Sequence, residues 1–559
     1  MKFIGKALLT LLLLVLLILL TLYILLQTPW GASCIGRAIS NNSSYQLHLS
    51  KIEHNFSSPS HLLLDDVTFG RKGQAPLLVA KQVDIGLGLI QFSTPMHFTK
   101  IHLDQGTLNI NEKSAVLPLS AGTLQLTQMT VNSPTFVLPI KAEKVTGAIS
   151  PWKPEAGNFV GNNANFQFSA GSLNLSGFDG THLLVQGKMA DNKLILSNVG
   201  VEFARGSLTG SAERDAQGNW NVSRLQLSRL RFQTNKNLTA FFTPFFALPS
   251  LHIRRLDVTG SSIQGPDWAV SDLNFLLKDL TLQDGNWQSN AGSLSINASS
   301  FVKQGLLLNN PIINMTFSPQ GIELTQFSSR WVNGLIRAAG NWDRRAKKLT
   351  LNDLAFAGLE YTLPGNWRDI WIKQLPSWLE SVEVSHFRAN NNLIIDINPD
   401  FPFEMTSLAG NGHNLLLAKD RQWGIWGGTI GFNAAEATFN RVDLRHPSIA
   451  LTANSSQIDV TEMSALAQNG LLEAKAILNQ TLRREISLQL NGRNVPLDEL
   501  INWGWPALPL QGNGNLNLDF KASLAADTTL KQSASGTLTA TQGDKVINQT
   551  MSNGVINGH

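Results

Sequence analysis

Cysteine and charge are both scarce in this sequence. Cys34 is the single cysteine among 559 residues, so no intramolecular disulfide can form, and cohesion must come from backbone hydrogen bonds and apolar burial. Charged residues make up 15% of the chain and hydrophobic residues 43%, which leaves few of the charged side chains that cover soluble helices. The net charge is only +4, and no basic block occurs. A nucleic-acid partner is therefore not expected.

Motifs for catalysis and for metal binding are absent as well. The sequence contains no H-E-x-x-H, G-x-S-x-G, Walker or C-x-x-C motif. The 11 histidines are scattered, and some of them, such as His48 and His102, alternate with apolar residues as polar strand positions do. The sequence predicts no catalytic residue, no metal ligand and no cofactor. We therefore expect a binding or structural protein and not an enzyme.

The longest apolar run covers residues 7–26 and contains no charged residue. At about 1.5 Å of rise per residue, roughly twenty such residues cross the hydrocarbon core of a bilayer once. Lys2 and Lys6 precede the run, and the next charge is Arg37. By the positive-inside tendency, the N-terminal tip is cytoplasmic and nearly the whole chain lies on the far side of the membrane.

A cleaved signal peptide and a lipoprotein signal are the other interpretations of this run. A signal peptide has a shorter apolar region, of about 7 to 15 residues, and a small-residue cleavage site. Here Pro29 and Trp30 stand where that site would be, and Cys34 lies far beyond the apolar run for a lipoprotein signal. An uncleaved anchor fits better, with Lys2, Lys6 and Trp30 as its flanks and Trp30 at the membrane interface.

Hydrophobic periodicity changes to two after the anchor. Tyr45, Leu47 and Leu49 alternate with polar residues, and similar short runs bounded by Gly, Pro, Asn or Ser continue to the C-terminal region. This pattern is typical of antiparallel strands with one apolar face. The predicted fold is mainly β: an N-terminal transmembrane helix followed by an elongated antiparallel β-meander, with a few short helices.

The apolar face of such a sheet has to be covered, and the sequence has too few helices to cover it. The sheet either closes on itself as a sandwich or curls into an apolar groove whose backbone is fully hydrogen-bonded. A groove of this kind could hold lipid tails without any binding motif, and we expect the β-meander to be curled into such a groove. The candidate groove-lining residues are Ile486, Leu488, Leu490, Leu516, Leu518 and Phe520.

A long repeat divides the sheet region. Leu-Pro pairs at 248–249, 375–376 and 508–509 each follow a possible helix, with a spacing of roughly 130 residues that suggests concatenated modules. The predicted organisation is a cytoplasmic tip at 1–6, a transmembrane anchor at 7–27, an N-terminal β region at 28–235, helix-plus-meander modules at 236–365 and 366–495, a C-terminal β module at 496–542, and a disordered tail at 543–559.

Several long segments are distinctive: the opening MKFIGK, the end of the apolar run LLQTPWG, QGPDWAV at 264–270, FSPQG at 317–321, AGLEYTLP at 357–364, NLIIDINPDFP at 392–402, ATFNRVDLRHPSIALTANSS at 437–456 and NWGWPALPL at 502–510. Through these segments the chain resembles, over nearly its full length, the AsmA-like inner-membrane proteins of Gram-negative bacteria.

The resemblance implies a periplasmic body on one inner-membrane helix. Larger members of this family look like repeating β-groove bridges that move phospholipid toward the outer membrane, whereas its name-giving member was first associated with outer-membrane protein assembly. No catalytic residue comes with the family. We therefore expect a protein of phospholipid transport or envelope lipid homeostasis, with phospholipid as cargo and an outer-membrane or periplasmic protein partner left open. An assembly factor that binds outer-membrane proteins through exposed edge strands is the alternative.

Overall fold

The computed structural model of the chain describes residues 2–110, 117–133, 139–175, 178–480, 484–525 and 529–557. Two units are described here separately: Met1–Gly265 with Leu276–Trp287 form the first, and Pro266–Phe275 with Gln288–His559 form the second. Both units consist mainly of strands. The predominantly β fold with an N-terminal apolar helix is thus confirmed.

The helices are few and short, apart from the first. Within the described residues they are α1 (Lys2–Leu26), α2 (Pro29–Asn42), α3 (Leu238–Phe246), α4 (Trp367–Ile372), α5 (Leu530–Ser533) and two 3-10 helices, Leu89–Phe92 and Leu497–Trp503. The break between α1 and α2 follows from local chemistry: Thr28 caps α2 by accepting a hydrogen bond from the Gly31 N–H at 3.3 Å, and Pro29 occupies the first helical turn.

The strands follow one another along the chain with short connections. Those up to the end of α3 are β1 (Tyr45–His48), β2 (Lys51–His54), β3 (His61–Arg71), β4 (Leu78–Gly86), β5 (His97–Asn109), β6 (Ser120–Ser133), β7 (Ile140–Ser150), β8 (Ala164–Leu175), β9 (Phe178–Ala190), β10 (Lys193–Phe203), β11 (Gly206–Arg214), β12 (Trp220–Ser228) and β13 (Arg231–Gln233). Those between α3 and α4 are β14 (Ser250–Gln264), β15 (Trp268–Gln283), β16 (Asn286–Trp287), β17 (Gly292–Asn297), β18 (Ser300–Lys303), β19 (Leu306–Ser318), β20 (Gly321–Trp331), β21 (Gly334–Asp343), β22 (Lys348–Ala357) and β23 (Glu360–Thr362). Those after α4 are β24 (Ser381–Asp396), β25 (Phe403–Lys419), β26 (Gln422–Asn433), β27 (Glu436–Phe439), β28 (Val442–Ala453), β29 (Gln457–Ala467), β30 (Gly470–Asn479), β31 (Glu485–Pro496), β32 (Asn513–Ser523), β33 (Ser535–Gln542), β34 (Lys545–Ser552) and β35 (Val555–Asn557).

Most neighbouring strands pair antiparallel, as the meander requires, but some pairs are parallel. β5 pairs parallel with β6, β12 and β13 pair parallel with β14, and β22 and β23 pair parallel with β24. In the last two cases the crossover carries α3 or α4, because a chain that returns to the same end of the sheet needs a long connection. The third predicted helix-to-strand junction differs: a 3-10 helix joins β31 to β32, and these strands are antiparallel.

Many strands are bent by β-bulges. Non-glycine residues with positive φ lie inside the strands, for example Gln128 at +53° in β6 and Asn414 at +52° in β25, and the pairing register shifts beside each of them. A bulge bends its strand and increases the local twist. Repeated bulges therefore curve the sheet of each unit, whereas strands without bulges would form a flatter sheet.

The fully closed cores lie at one end of each unit's strand series. In the first unit, α2 contributes Ala32 to a core that includes Leu126 and Trp152. In the second unit, the 3-10 helix Leu497–Trp503 covers a core that includes Leu497 and Leu538. Within each unit, the apolar face of the sheet is thus buried at this end and for the most part only partly buried elsewhere.

The predicted disordered tail at 543–559 is wrong. β34 pairs with β33 and β35 pairs with β34, and the side chains of Ile547 and Met551 pack against the core of the second unit. In addition, the Trp505 indole N–H donates to the Gln549 side-chain oxygen at 2.9 Å. The segment looks polar as a sequence, but its inward positions are apolar or hydrogen-bonded. Residues 558 and 559 of this prediction lie outside the described residues.

Candidate functional site

An unbroken row of apolar positions runs across the strands of the second unit. Each residue of the row is the direct cross-strand partner of the next, so all of their side chains project from the same face of the sheet. In strand order from β17 to β32, this second-unit row is Ile296, Ile313, Phe327, Ala338, Leu354, Phe387, Gly412, Ile430, Leu451, Val460, Ala476, Leu488 and Phe520.

Most side chains of this row are only half-buried. Leu354, Phe387 and Leu451 pack around a small buried group formed by Val384, Leu415 and Ile430, yet they keep part of their surface accessible. The row therefore offers an apolar surface whose backbone groups are already hydrogen-bonded to neighbouring strands.

Aromatic rings widen the row at its centre. The ring of Phe387 lies 6.0 Å from that of Phe356 and 5.9 Å from that of Phe432, measured between centroids. β25 contributes glycine here: a Cβ at Gly410 would lie 2.4 Å from Phe432 Cδ1, and one at Gly412 would lie 2.8 Å from Leu415 Cδ1. Glycine on β25 thus makes room for the phenylalanines of its neighbours.

The opposite face of the same strands is polar. Ser295 Oγ donates to Asn314 Oδ1 at 2.6 Å, and Asn314 Nδ2 donates to the Gln326 side-chain oxygen at 3.0 Å. Further along, the Arg388 guanidinium pairs with Asp353 at 2.7 Å. The sheet is therefore amphipathic strand by strand, with its apolar side facing the row.

The first unit has a row of the same kind. In strand order from β2 to β14, the first-unit row is Ile52, Leu64, Val83, Leu103, Leu126, Gly147, Phe168, Val185, Val199, Gly210, Leu225 and Leu256. Val83, Leu103 and Leu126 are buried in the closed core, whereas Phe168, Val185 and the positions after them, including Gly210, are half-buried. Burial along the first-unit row therefore decreases from about β8 onward.

Helix α3 lies beside this half-buried part of the first unit and is itself apolar. Phe241 contacts Phe232 of β13 with a centroid distance of 6.2 Å, whereas Phe242, Phe245 and Phe246 are about half exposed. None of the residues of α3 is buried. The helix therefore adds exposed aromatic surface next to the row.

Comparison with known proteins assigns the chain to a family. The family whose sequence profile matches residues 91–557 is described as the AsmA family. The chain belongs to the AsmA family. It is 48% identical over 557 residues to the AsmA family protein YicH of Escherichia coli strain K12, a match that covers 100% of this chain and 98% of that protein. No solved structure matches it.

The six residues predicted to line a groove all lie on one face of two paired strands of this AsmA-family chain. Ile486 pairs with Ala522, Leu488 with Phe520, and Leu490 with Leu518. Their surroundings differ, however. Leu516 and Leu518 are buried in the core under the 3-10 helix, Leu490 and Phe520 are partly buried against it, and Ile486 and Leu488 are half-buried.

The aromatic centre of the row was not identified from the sequence. Phe387 and Phe432 lie on β24 and β26, where bulges interrupt the strict alternation of apolar and polar residues. The pairs Leu349–Leu351 and Val382–Val384 show the alternation locally, but only the register of β22 with β24 brings them side by side. Cross-strand register is the information that the sequence pattern lacks.

The predicted membrane flanks lie at the ends of the apolar helix. The stretch Leu8–Leu26 has a mean hydropathy of 3.1 and is long and apolar enough to cross a membrane, and none of it is buried. Lys6 is exposed, and Trp30 is 62% exposed at the start of α2. The backbone of Lys2 begins α1, and its side chain lies outside the described residues.

Titratable groups are not concentrated near the rows. In the described parts of the chain, no group of three or more His, Cys, Asp or Glu residues could hold a metal ion. Burial in the 3-10 helix raises the pKa of Glu499 above its ordinary value, and repulsion from Asp498 adds to this effect. Glu499 belongs to the helix that covers the closed core, so its shifted pKa concerns stability and not chemistry.

Proposed function

We propose that this AsmA-family protein is anchored in the bacterial inner membrane by α1, with its β body in the periplasm, and that it holds phospholipid acyl chains on the apolar rows. It would serve phospholipid transport between the inner and outer membranes or lipid homeostasis of the envelope. The observation that carries this proposal is the half-buried second-unit row, which continues strand after strand from β17 to β32.

The physical basis is apolar transfer without any covalent step. Each methylene group that leaves water for an apolar surface contributes roughly 0.8 kcal/mol when it is fully buried. An acyl chain lying across the strands meets a new apolar side chain about every 4.8 Å, the spacing of neighbouring strands. Its position can therefore change in small steps while the headgroup stays in water.

Site-specific photo-crosslinking in cells tests the proposal. We would place the probe at Phe387 and at Phe520 on the row, with Arg388 and Asn517 as matched controls. Each control lies on the same strand as its partner and faces the other way. Leu518, which is only 8% exposed, is a third control for a closed core. Phospholipid adducts at Phe387 and Phe520, and not at the controls, are the expected result.

Two other results would contradict the proposal. Protein adducts at the row positions would favour the assembly factor for outer-membrane proteins. An absence of adducts at Phe387 with normal protein levels would mean that the second-unit row is ordinary core.

A further inference from the structure

A cluster of aromatic side chains joins the end of α1 to the connection between β2 and β3. The Tyr23 hydroxyl is hydrogen-bonded to His54 Nδ1 at 2.6 Å, and the Tyr23 ring lies 5.6 Å from the ring of Phe56. Phe56 nevertheless remains 78% exposed. A single exposed apolar side chain is common in folded proteins, but Phe56 lies directly beside a helix that is long and apolar enough to cross a membrane.

The height of Tyr23 along α1 places this cluster at the membrane boundary. Leu8–Leu26 contains 19 residues, so at ~1.5 Å per residue its length is close to the ~30 Å hydrocarbon thickness of a bilayer. Tyr23 precedes the end of this stretch by about one helical turn. The connection that touches Tyr23 therefore lies at the level where the hydrocarbon core meets the headgroups.

A second connection lies beside the first. The start of β3 pairs with the end of β4 through His61 and Gly86, and the Leu87 N–H donates to the Ser60 carbonyl at 2.6 Å. The chain from β4 to β5 then exposes Leu89 by 85% and Ile90 by 42%. Both connections, residues 55–60 and 87–96, lack charged residues.

Local hydrogen bonds hold the second connection in shape. The side-chain oxygen of Gln91 accepts from the Gly88 N–H at 2.5 Å, and its amide nitrogen donates to the His97 carbonyl at 2.8 Å. The 3-10 turn between these bonds presents Leu89 outward. A turn stabilised in this way keeps its apolar residues exposed without the support of a core.

We propose that residues 55–60 and 87–96 form a membrane-proximal rim that inserts Phe56, Leu89 and Ile90 into the outer leaflet of the membrane crossed by α1. The occupant of this surface is the lipid bilayer, because the rim is continuous with α1 through Tyr23 and carries no charge. The inference rests on the proposed anchor but not on lipid binding by the rows. Its consequence is a body held at two points, so that β3, β4 and β5 start or end at the membrane surface.

Fluorescence quenching in the full-length protein tests the rim. The protein would carry Cys34→Ser and one new cysteine, labelled with an environment-sensitive fluorophore, in vesicles of phosphatidylethanolamine and phosphatidylglycerol at a ratio of about 3:1. The probe sites are Phe56→Cys and Leu89→Cys. The matched control is Val79→Cys, an exposed apolar position at the opposite end of β4. Leu16→Cys reports separately on insertion of α1.

The rim predicts blue-shifted emission at Phe56 and Leu89 and several-fold stronger quenching by lipids spin-labelled near the headgroup than at Val79. Quenching at both sites no stronger than at Val79 would overturn the rim. If Leu16 is still quenched by deep spin labels in that case, the anchor stands and only the rim fails. A second variant, Phe56→Ser with Leu89→Ser, is expected to reduce quenching of a probe at Ile90. Because both replaced side chains are exposed, its unfolding midpoint should stay unchanged.

Discussion

Two buried polar side chains perform the same task at two different places in the chain. Asn392 Oδ1 accepts the Leu359 N–H at 2.9 Å, where β22 gives way to β23. Ser261 Oγ accepts the Leu230 N–H at 3.1 Å, where β12 gives way to β13. In both cases the backbone N–H lies between two strands and has no partner in the sheet. A side chain on the neighbouring parallel strand accepts its hydrogen bond instead. The crossovers that carry α3 and α4 therefore resemble each other in this hydrogen bond as well as in the order of their strands and helix.

Asn392→Ala is expected to lower the free energy of unfolding of the second unit by about 1–3 kcal/mol, because the buried Leu359 N–H loses its acceptor. Asn392 Nδ2 also donates to the Leu408 carbonyl at 3.2 Å, and this bond is lost too. Thermal unfolding measures the effect. The control is Asn390→Ala, an exposed position on the same strand, which should change the midpoint little. Equal midpoints for both variants would contradict the role of Asn392.

Glu499→Gln is expected to stabilise the protein at neutral pH. Burial raises the pKa of Glu499 in the folded state. Above that pKa, the ionised carboxylate is less stable in the folded protein than in the unfolded chain and therefore lowers the free energy of unfolding. At a pH low enough to protonate Glu499 in both states, this loss of stability disappears. The gain in unfolding midpoint should therefore be largest near pH 7 and vanish below about pH 4, the ordinary range of a glutamate. An unfolding midpoint at pH 7 that is unchanged or lowered in Glu499→Gln would contradict this role of burial.

At the scale of elements, bulges determine how the strands bend. Gln128 has φ at +53°, and the register of β6 with β7 shifts between Leu126 and Met129 beside it. The Gln128 N–H donates to Thr146 Oγ1 at 3.2 Å instead of joining the ladder. An extra residue is accommodated in this way while Leu126 and Met129 both remain buried.

Gln128→Val should destabilise the first unit by about 1–2 kcal/mol, since a β-branched residue is strained at positive φ. Gln128→Gly should be neutral or stabilising at the same position, because glycine adopts this conformation freely. Gln125→Val, at a regular position of β6, controls for the change in side chain. Chemical denaturation of the three variants checks the order, and a Gly variant as unstable as the Val variant would show that the bulge is not strained.

Sequence patterns predict some elements well and others poorly, for identifiable reasons. The alternation of Leu516, Leu518 and Phe520 with polar residues predicts β32, which the structure shows. Parallel pairing across α3 and α4 was not predicted, because alternation specifies a face but not a partner. The strand Lys545–Ser552 was missed because inward positions such as Gln549 are satisfied by hydrogen bonds that only the fold provides.

At the scale of the whole molecule, the question is how the apolar face of each unit's sheet is buried when the described residues contain so few helices. In the first unit, Val83, Leu103 and Leu126 near one end of the row are buried in a closed core. In the second unit, Phe520 at the end of the row is partly buried against the core under the 3-10 helix Leu497–Trp503. The rest of each row is half-buried by the curvature of the sheet and by neighbouring side chains. Most row positions outside these cores keep part of their apolar surface accessible, and the proposed function assigns lipid to that surface.

The apolar helix should be separable from the folded body. No residue of Leu8–Leu26 is buried, and the core of the first unit draws its helical contribution from Ala32 in α2. Replacing residues 1–27 with a cleaved signal peptide is therefore expected to yield a folded periplasmic body that lacks the spanning helix and is attached to the membrane at most through the proposed rim. Its unfolding midpoint should lie close to that of the full chain, because only contacts such as the hydrogen bond between Tyr23 and His54 are lost.

Cell fractionation with intact-mass measurement compares the two proteins. The full chain should stay in the membrane after alkaline extraction and keep the mass of α1, whereas the same extraction should release the replaced form even where the rim holds it to the membrane. If the full chain were instead found soluble and shortened by its N-terminal segment, α1 would be a signal peptide, and the anchor would be wrong. If the replaced form aggregated, α1 would have to cover part of the body, contrary to the finding that no residue of Leu8–Leu26 is buried.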